Sequence, residues 1–198
     1  MCAALAALLL CSLTACGKTK EPAWQDIFAM DTYMSLVAYG EDGQEALAAA
    51  AREINRLEQE LSRTVSTSYI YKLNENGSAA VSEETANLLK NAMDYSAATG
   101  GLFDMTVAPL VSLWGITTDS PRVPSRSEIN ALLPLVGSDH VHLDGQTVTL
   151  DAGCAVDLGG IAKGYASDRV AQVLGQYAVT GAAVSLGGNV YVCGKKPD

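Results

Sequence analysis

An α+β fold is predicted, a mixed sheet with helices packed on it, and three observations predict it. Helix-like and strand-like stretches alternate without the even repeat of a βαβ array. Three long stretches carry apolar residues at helical spacing, and a fourth carries a hairpin signal. The chain has 198 residues, 48% hydrophobic and 18% charged, so it can bury a core without disulfides or a structural metal.

Taken in order, residues 29–38 alternate loosely and read as a strand. Residues 43–61 place Leu47, Ile54, Leu57 and Leu61 on one helical face. Residues 62–77 are polar and read as a loop around Tyr69-Ile70-Tyr71. A second helix is expected over 83–99, started by Ser82 with Glu83 and Glu84 in its first turn and stopped by Gly100-Gly101. Ser125-Arg126-Ser127-Glu128 is a capping box opening a short helix that ends near Pro134. Residues 141–150 form a hairpin about Asp144-Gly145. A short apolar strand is expected to end at Val156, a third long helix to run over 160–174, and a strand over 183–186 to break at Gly187-Gly188. No internal repeat or low-complexity linker interrupts the chain beyond residues 17–22.

The front reads as a targeting segment. Residues 1–15 carry no charge and an apolar run, and Leu13-Thr14-Ala15-Cys16-Gly17 has the form of a bacterial lipobox with cleavage before Cys16. An uncleaved anchor is the other reading, but about 15 residues fall short of the ~20 that a span needs. No Lys or Arg follows Met1, so the usual basic start is missing. The expected organisation is a signal peptide over 1–15, a lipidated N-terminus and tether over 16–27, and a domain over 28–198. Lipidation at Cys16 places the protein outside the cytoplasm, anchored to the bacterial membrane.

Net charge is −9 with no basic cluster, which argues against nucleic acid and against a polybasic membrane patch. His140 and His142 stand at strand spacing, either as exposed strand residues or as a metal pair. Cys154 and Cys193 are expected in apolar strands, as isolated thiols in preference to a bridge.

The most informative run is Asp157-Leu-Gly-Gly-Ile-Ala-Lys163-Gly-Tyr165. Two glycines let backbone approach a ligand closely, and a helix start beside one ammonium suits a phosphate. Asp157 would repel that phosphate unless a divalent cation or a ligand hydroxyl or amide lay between. The run is neither a P-loop nor a Gly-x-Gly-x-x-Gly fingerprint. Two readings fit it: a metal-assisted nucleotide site, or a capping aspartate followed by glycines that permit tight helix packing.

Three further motifs surround it: Met30-Asp31-Thr32, residues 99–115 (Thr-Gly-Gly-Leu-Phe-Asp-Met-Thr-Val-Ala-Pro-Leu-Val-Ser-Leu-Trp-Gly), and Val184-Ser-Leu-Gly-Gly-Asn189. Together, in order, they resemble the FAD:protein FMN transferase (ApbE-like) family of flavin-trafficking lipoproteins, from about Phe28 to the last residue. The resemblance implies transfer of FMN from FAD to a threonine hydroxyl of an acceptor flavoprotein, releasing AMP with Mg²⁺. Hydrolysis or binding of FAD by a lipoprotein is the alternative it also covers. It implies FAD contacts from Met30, from Leu102-Phe103-Asp104 mainly through backbone, and from Asp157 and Lys163, with the Gly160 carbonyl on Mg²⁺. Asp104 has a second reading, a local cap on Thr106. Implied partners are flavoprotein subunits of Rnf-type or sodium-pumping NADH:quinone reductase complexes, or extracellular flavin reductases. Two departures stand out. Thr64 occupies the place of a ring-stacking Tyr, with Arg63 or Tyr69 as substitutes. The chain also stops at Lys195-Lys196-Pro197-Asp198, where relatives continue with a further strand, a flavin-contacting His and an Asp-x-x-x-Thr/Ser run completing the metal site, so the C-terminal part of the domain is expected to be missing, and two readings stand: a fragment of a longer frame, or a shortened and inactive form.

Overall fold

A computed structural model describes residues 21–116 and 118–196. The expected signal segment and Cys16 lie outside the described residues. The chain forms two sheets and six α-helices among the described residues. β1 (Ala23–Ala29) and β2 (Thr32–Gly40) pair as a hairpin, β2 pairs with β6 (Val179–Leu186), and β6 pairs with β7 (Asn189–Gly194). The second sheet has the order β3-β5-β4, from Ser78–Ala80, Val141–Asp144 and Thr147–Leu150. Every recorded pairing is antiparallel, so the α+β class holds while the mixed sheet does not. Two-residue turns that can only reverse the chain join β1 to β2, β4 to β5 and β6 to β7, and the longer connections also leave β2–β6 and β3–β5 antiparallel.

One face of the larger sheet is covered by helices. α1 (Gly43–Leu61) buries Leu47, Ile54, Leu57 and Leu61 against β1, β2 and α6 (Ala162–Leu174), as its periodicity requires. α3 (Glu83–Ala98) starts at Ser82, whose hydroxyl accepts the Thr85 N–H. α5 (Arg126–Leu132) carries the expected capping box between Ser125 and Glu128, and a single 3-10 turn, Leu133–Leu135, follows it. α4 (Ala108–Trp114) follows a 3-10 turn at Met105–Val107.

Several local expectations are corrected. The strand over 29–38 is two strands and a turn: Ala29 ends β1, and Met30 and Asp31 form a two-residue turn with φ of 51° and 56°. Such turns favour Asn-Gly or Asp-Gly, so Met-Asp gave no turn signal. β1 also begins at Ala23, within the stretch assigned to a tether. The loop over 62–77 contains α2 (Tyr69–Asn76), capped by Ser68 on the Tyr71 N–H and closed by left-handed Gly77. Only Ile70 and Leu73 of α2 are buried, too narrow a stripe to show in a polar sequence. No strand precedes Asp157, because residues 154–157 run extended with side-chain partners in place of a ladder, and Cys154 lies there outside any strand.

Cys154 and Cys193 are unbridged; Cys154 is buried, and burial pushes its thiol up, while Cys193 is half-buried in β7. His140 lies in a 3-10 turn (Ser138–His140), not on β4, yet it converges with His142 on Asp151. Its Nδ1 lies 3.0 Å from Asp151 Oδ2 and its Nε2 lies 3.1 Å from the Pro134 carbonyl. Both ring nitrogens face acceptors, so both bonds exist together only in the protonated ring. No group of three His, Cys, Asp or Glu side chains suited to a metal is found among the described residues.

Asp151 beside His140 raises the imidazole above its ordinary 6.5, and the two histidines lower the Asp151 carboxyl below its ordinary 3.8. The raised group contributes stability below 6.5 and loses it as pH rises through the folded value. The lowered one contributes above 3.8 and loses it as pH falls through its own folded value. The clip is therefore strongest between those two ordinary values. Denaturant midpoints of the wild type should fall relative to His140→Ala as pH rises above the ordinary 6.5 of the imidazole. Parallel pH profiles for the two proteins would show that the clip carries no stability.

Candidate functional site

The extended segment before α6 is held from two sides. The Asn74 side-chain amide brackets Val156 as a strand neighbour would, donating from Nδ2 to the Val156 carbonyl and accepting the Val156 N–H on Oδ1, both at 2.8 Å. The next amide, Asp157 N–H, donates to the Met105 carbonyl at 2.7 Å. Asp157 then turns back: Oδ1 accepts the Gly159 N–H at 2.7 Å, and Oδ2 pairs with Arg63 Nε at 2.8 Å. A Cβ on residue 159 would lie 2.9 Å from Oδ1, so any larger residue there would push the Asp157 carboxylate out of this bond. The ion pair is mostly buried, its side chains 18% and 17% exposed.

α6 begins immediately after and has no side-chain cap at Ile161. The N–H groups of Gly160, Lys163 and Gly164 have no partner among the described residues. Lys163 is half-buried, and no carboxylate pairs with its ammonium among the described residues. An uncapped helix start with one adjacent cation is an arrangement suited to an anion.

Two cavities flank this helix start. The smaller, about 220 Å³, is lined by Met30, Asp31, Glu58, Arg63, Asp157 and Lys163, among others. The larger, about 600 Å³, is aromatic, with Tyr95, Phe103, Gly160, Tyr165, Asn189 and Tyr191 in its wall. Phe103 meets Tyr95 edge-on, ring centroids 6.5 Å apart, and a Cβ on residue 160 would lie 3.0 Å from the Phe103 ring. Glycine at 160 thus lets the ring close on the backbone at the junction of the two cavities.

The structure therefore brings Met30, Asp157 and Lys163 together in one cavity and puts Phe103 and Gly160 in the other. Leu102 is 93% exposed and lines neither, so its side chain is not positioned to grip a ligand. The Asp104 carboxylate caps the 3-10 turn instead, accepting the Thr106 N–H and hydroxyl on Oδ1 and the Ser96 hydroxyl on Oδ2. Thr64 is exposed in a turn with Ser62, and Tyr69 packs against the core; of the two substitutes for the stacking ring, Arg63 alone lines the cavity. Around Gly160 the described residues supply its carbonyl but no group of three or more His, Cys, Asp or Glu side chains, so they do not by themselves make a full ligand set for a divalent cation. Sequence reasoning passed over Glu58 and Asn74; each acts on backbone 28 or 82 residues away, a relation no local pattern carries.

α6 is tied to the rest of the molecule by charge. Arg169 reaches Glu53 of α1 and Glu84 of α3, Arg56 reaches Glu53, Glu60 and Glu84, and the Tyr165 hydroxyl donates to Glu84 at 2.6 Å. The Arg56 guanidinium, helped by Arg169, holds the Glu53 carboxyl at about 2. Burial and the Glu84 carboxylate push the Tyr165 hydroxyl up, so it stays a donor.

A family model described as the ApbE family matches residues 30–198. An FAD:protein FMN transferase of Vibrio cholerae is 32% identical over 205 aligned positions, covering 98% of this chain and 61% of its own. One of Klebsiella pneumoniae is 34% identical, covering 84% of this chain and 54% of its own. Among solved structures, the ApbE protein of Thermotoga maritima superposes with a TM-score of 0.82 at 34% identity, over 89% of this chain and 60% of its own. The apo flavinyl transferase ApbE of Pseudomonas stutzeri gives 0.79 at 25% identity, over 89% and 60%. The chain thus spans between half and two thirds of the length of these relatives.

Asn74→Ala would strand the buried Val156 N–H and carbonyl, costing about 1–3 kcal/mol of stability by urea denaturation. A loss under about 0.5 kcal/mol, ordinary for a surface change, would mean that Asn74 does not hold the segment.

Proposed function

The chain belongs to the ApbE family, and from that premise we propose that it carries the FAD-binding part of an FAD:protein FMN transferase. The observation that carries the reading is the uncapped start of α6, with Lys163 beside it, between a polar cavity and an aromatic one. A dinucleotide needs that combination: a charged middle and two flat ring systems. The pyrophosphate lies at the free N–H groups with the Lys163 ammonium on its oxygens. Met30 offers a polarisable apolar contact to a ring, and Phe103 offers an aromatic one. Asp157, oriented by Arg63, keeps acceptor capacity for a ligand hydroxyl or N–H.

In the reaction, the threonine hydroxyl oxygen of the acceptor attacks the FMN phosphorus. The P–O bond to the AMP half breaks, AMP leaves with the bridging oxygen, and the hydroxyl proton passes to a base. Charge grows on the leaving phosphate, and Lys163 and the helix start are placed to stabilise it. With water as the nucleophile, the same cleavage yields FMN and AMP, which is the alternative activity. Mg²⁺ dependence rests on the family resemblance, and no step is routed through the metal. Acceptors of the Rnf, sodium-pumping NADH:quinone reductase or flavin reductase type rest on the same ground. The lipid anchor at Cys16 rests on the Leu13-Thr14-Ala15-Cys16-Gly17 lipobox.

Lys163→Ala should weaken FAD binding ten- to hundred-fold, the loss of a charge-assisted contact worth about 1.5–3 kcal/mol. An unchanged dissociation constant in a fluorescence titration would sink the assignment of Lys163 to the phosphates. Incubating the protein with FAD, Mg²⁺ and an acceptor domain separates the two activities by whether FMN appears covalently on the acceptor or free in solution.

Cys16→Ser should leave the precursor unlipidated and uncleaved. Mass spectrometry of membrane fractions that finds a different mature N-terminus without acyl groups would end the anchoring proposal.

A further inference from the structure

The β1–β2 turn puts two non-glycine residues in the left-handed region, and Met30 is of a type that rarely adopts it. Met30 and Asp31 both lie in the left-handed region, with φ of 51° and 56°, where a side chain crowds the backbone. Non-glycine residues hold such angles only when their surroundings over-determine them. One support is the hairpin itself, closed by the Ala29–Thr32 pair. The other comes from outside it: Glu58 Oε1 accepts the Met30 N–H at 2.7 Å. That amide lies beyond the β1–β2 ladder, so without Glu58 it would have no protein partner recorded.

The position of Glu58 is otherwise unfavourable. It sits in the last turn of α1, where the helix dipole repels a carboxylate, and no basic residue is present in that turn to offset it. It faces the smaller cavity, together with Met30 and Asp31. The hydrogen bond to the turn explains why an acceptor stands there.

We propose that Glu58 is a positioning residue of the candidate flavin site, holding the strained Met30–Asp31 turn so that the Met30 side chain forms the cavity wall. This rests on the flavin reading for its functional consequence. The mechanical part, a carboxylate that locks a left-handed turn, does not. Charge is not what the role needs; an acceptor oxygen at the same reach is. Glutamine supplies one, and glycine at position 31 removes part of the strain that makes the support necessary.

The test combines a flavin-free measurement with a binding one. Hydrogen exchange at the Met30 amide should quicken at least about tenfold in Glu58→Ala and stay near wild type in Glu58→Gln, as expected when a structural hydrogen bond is lost or kept. FAD affinity should fall about tenfold in Glu58→Ala, the scale of one hydrogen bond near 1.4 kcal/mol, and hold within about twofold in Glu58→Gln. Adding Asp31→Gly to Glu58→Ala should recover much of that loss. Equal Met30 exchange in the wild type and Glu58→Ala overturns the proposal, as does a Glu58→Gln protein that binds FAD as poorly as Glu58→Ala. If the wild type binds no FAD, the flavin reading fails, and the amide exchange alone decides whether Glu58 locks the turn.

Discussion

Where α6 begins depends on two hydrogen bonds from one side chain. Asn74 stands in for a strand along Val156, and that pair, with the Asp157–Met105 bond, fixes the backbone that delivers Asp157, the glycines and Lys163 in sequence. Residues 154–157 have no ladder of their own, so a buried amide and carbonyl would otherwise go unpaired. The segment links α2, the 3-10 turn at Met105–Val107 and the start of α6. A shift there would move Asp157, Gly159 and Lys163 in the wall of the smaller cavity.

The charges around α6 divide by task. Glu53, Arg56, Glu84, Arg169 and Tyr165 lock the helix to α1 and α3, and each charge in that network has an opposite partner. Arg63 and Asp157 satisfy one another at the cavity wall. Lys163 is different, since its ammonium and the free N–H groups beside it lack carboxylate partners among the described residues. In a chain whose net charge is −9, those donors are what the proposed site offers a pyrophosphate.

What could be read from the sequence was what local chemistry carries. The stripe of α1, the Ser82 cap of α3, the Ser125–Glu128 capping box and the Asp144–Gly145 hairpin signal each lie within a few residues, and each is found. The Met30–Asp31 turn escaped because Met30 is a poor turn former, held by a distant helix. α2 escaped because only two of its residues are buried. At the site, the grouping of Met30, Asp157 and Lys163 followed from motif order, whereas Glu58 and Asn74 act across folds of the chain that spacing cannot reveal. Asp104 shows the converse: a motif residue whose carboxylate is consumed by local caps.

The central claim is that the start of α6 is the pyrophosphate seat, with the two cavities taking the rings. A crystal structure of the protein with FAD bound tests it directly. The account predicts phosphate oxygens within hydrogen-bonding reach of Lys163 Nζ and of the N–H groups of Gly160, Lys163 or Gly164, with a ring beside Met30 or Phe103. Clear density for FAD elsewhere on the molecule, leaving Lys163 and those N–H groups to solvent, would contradict it.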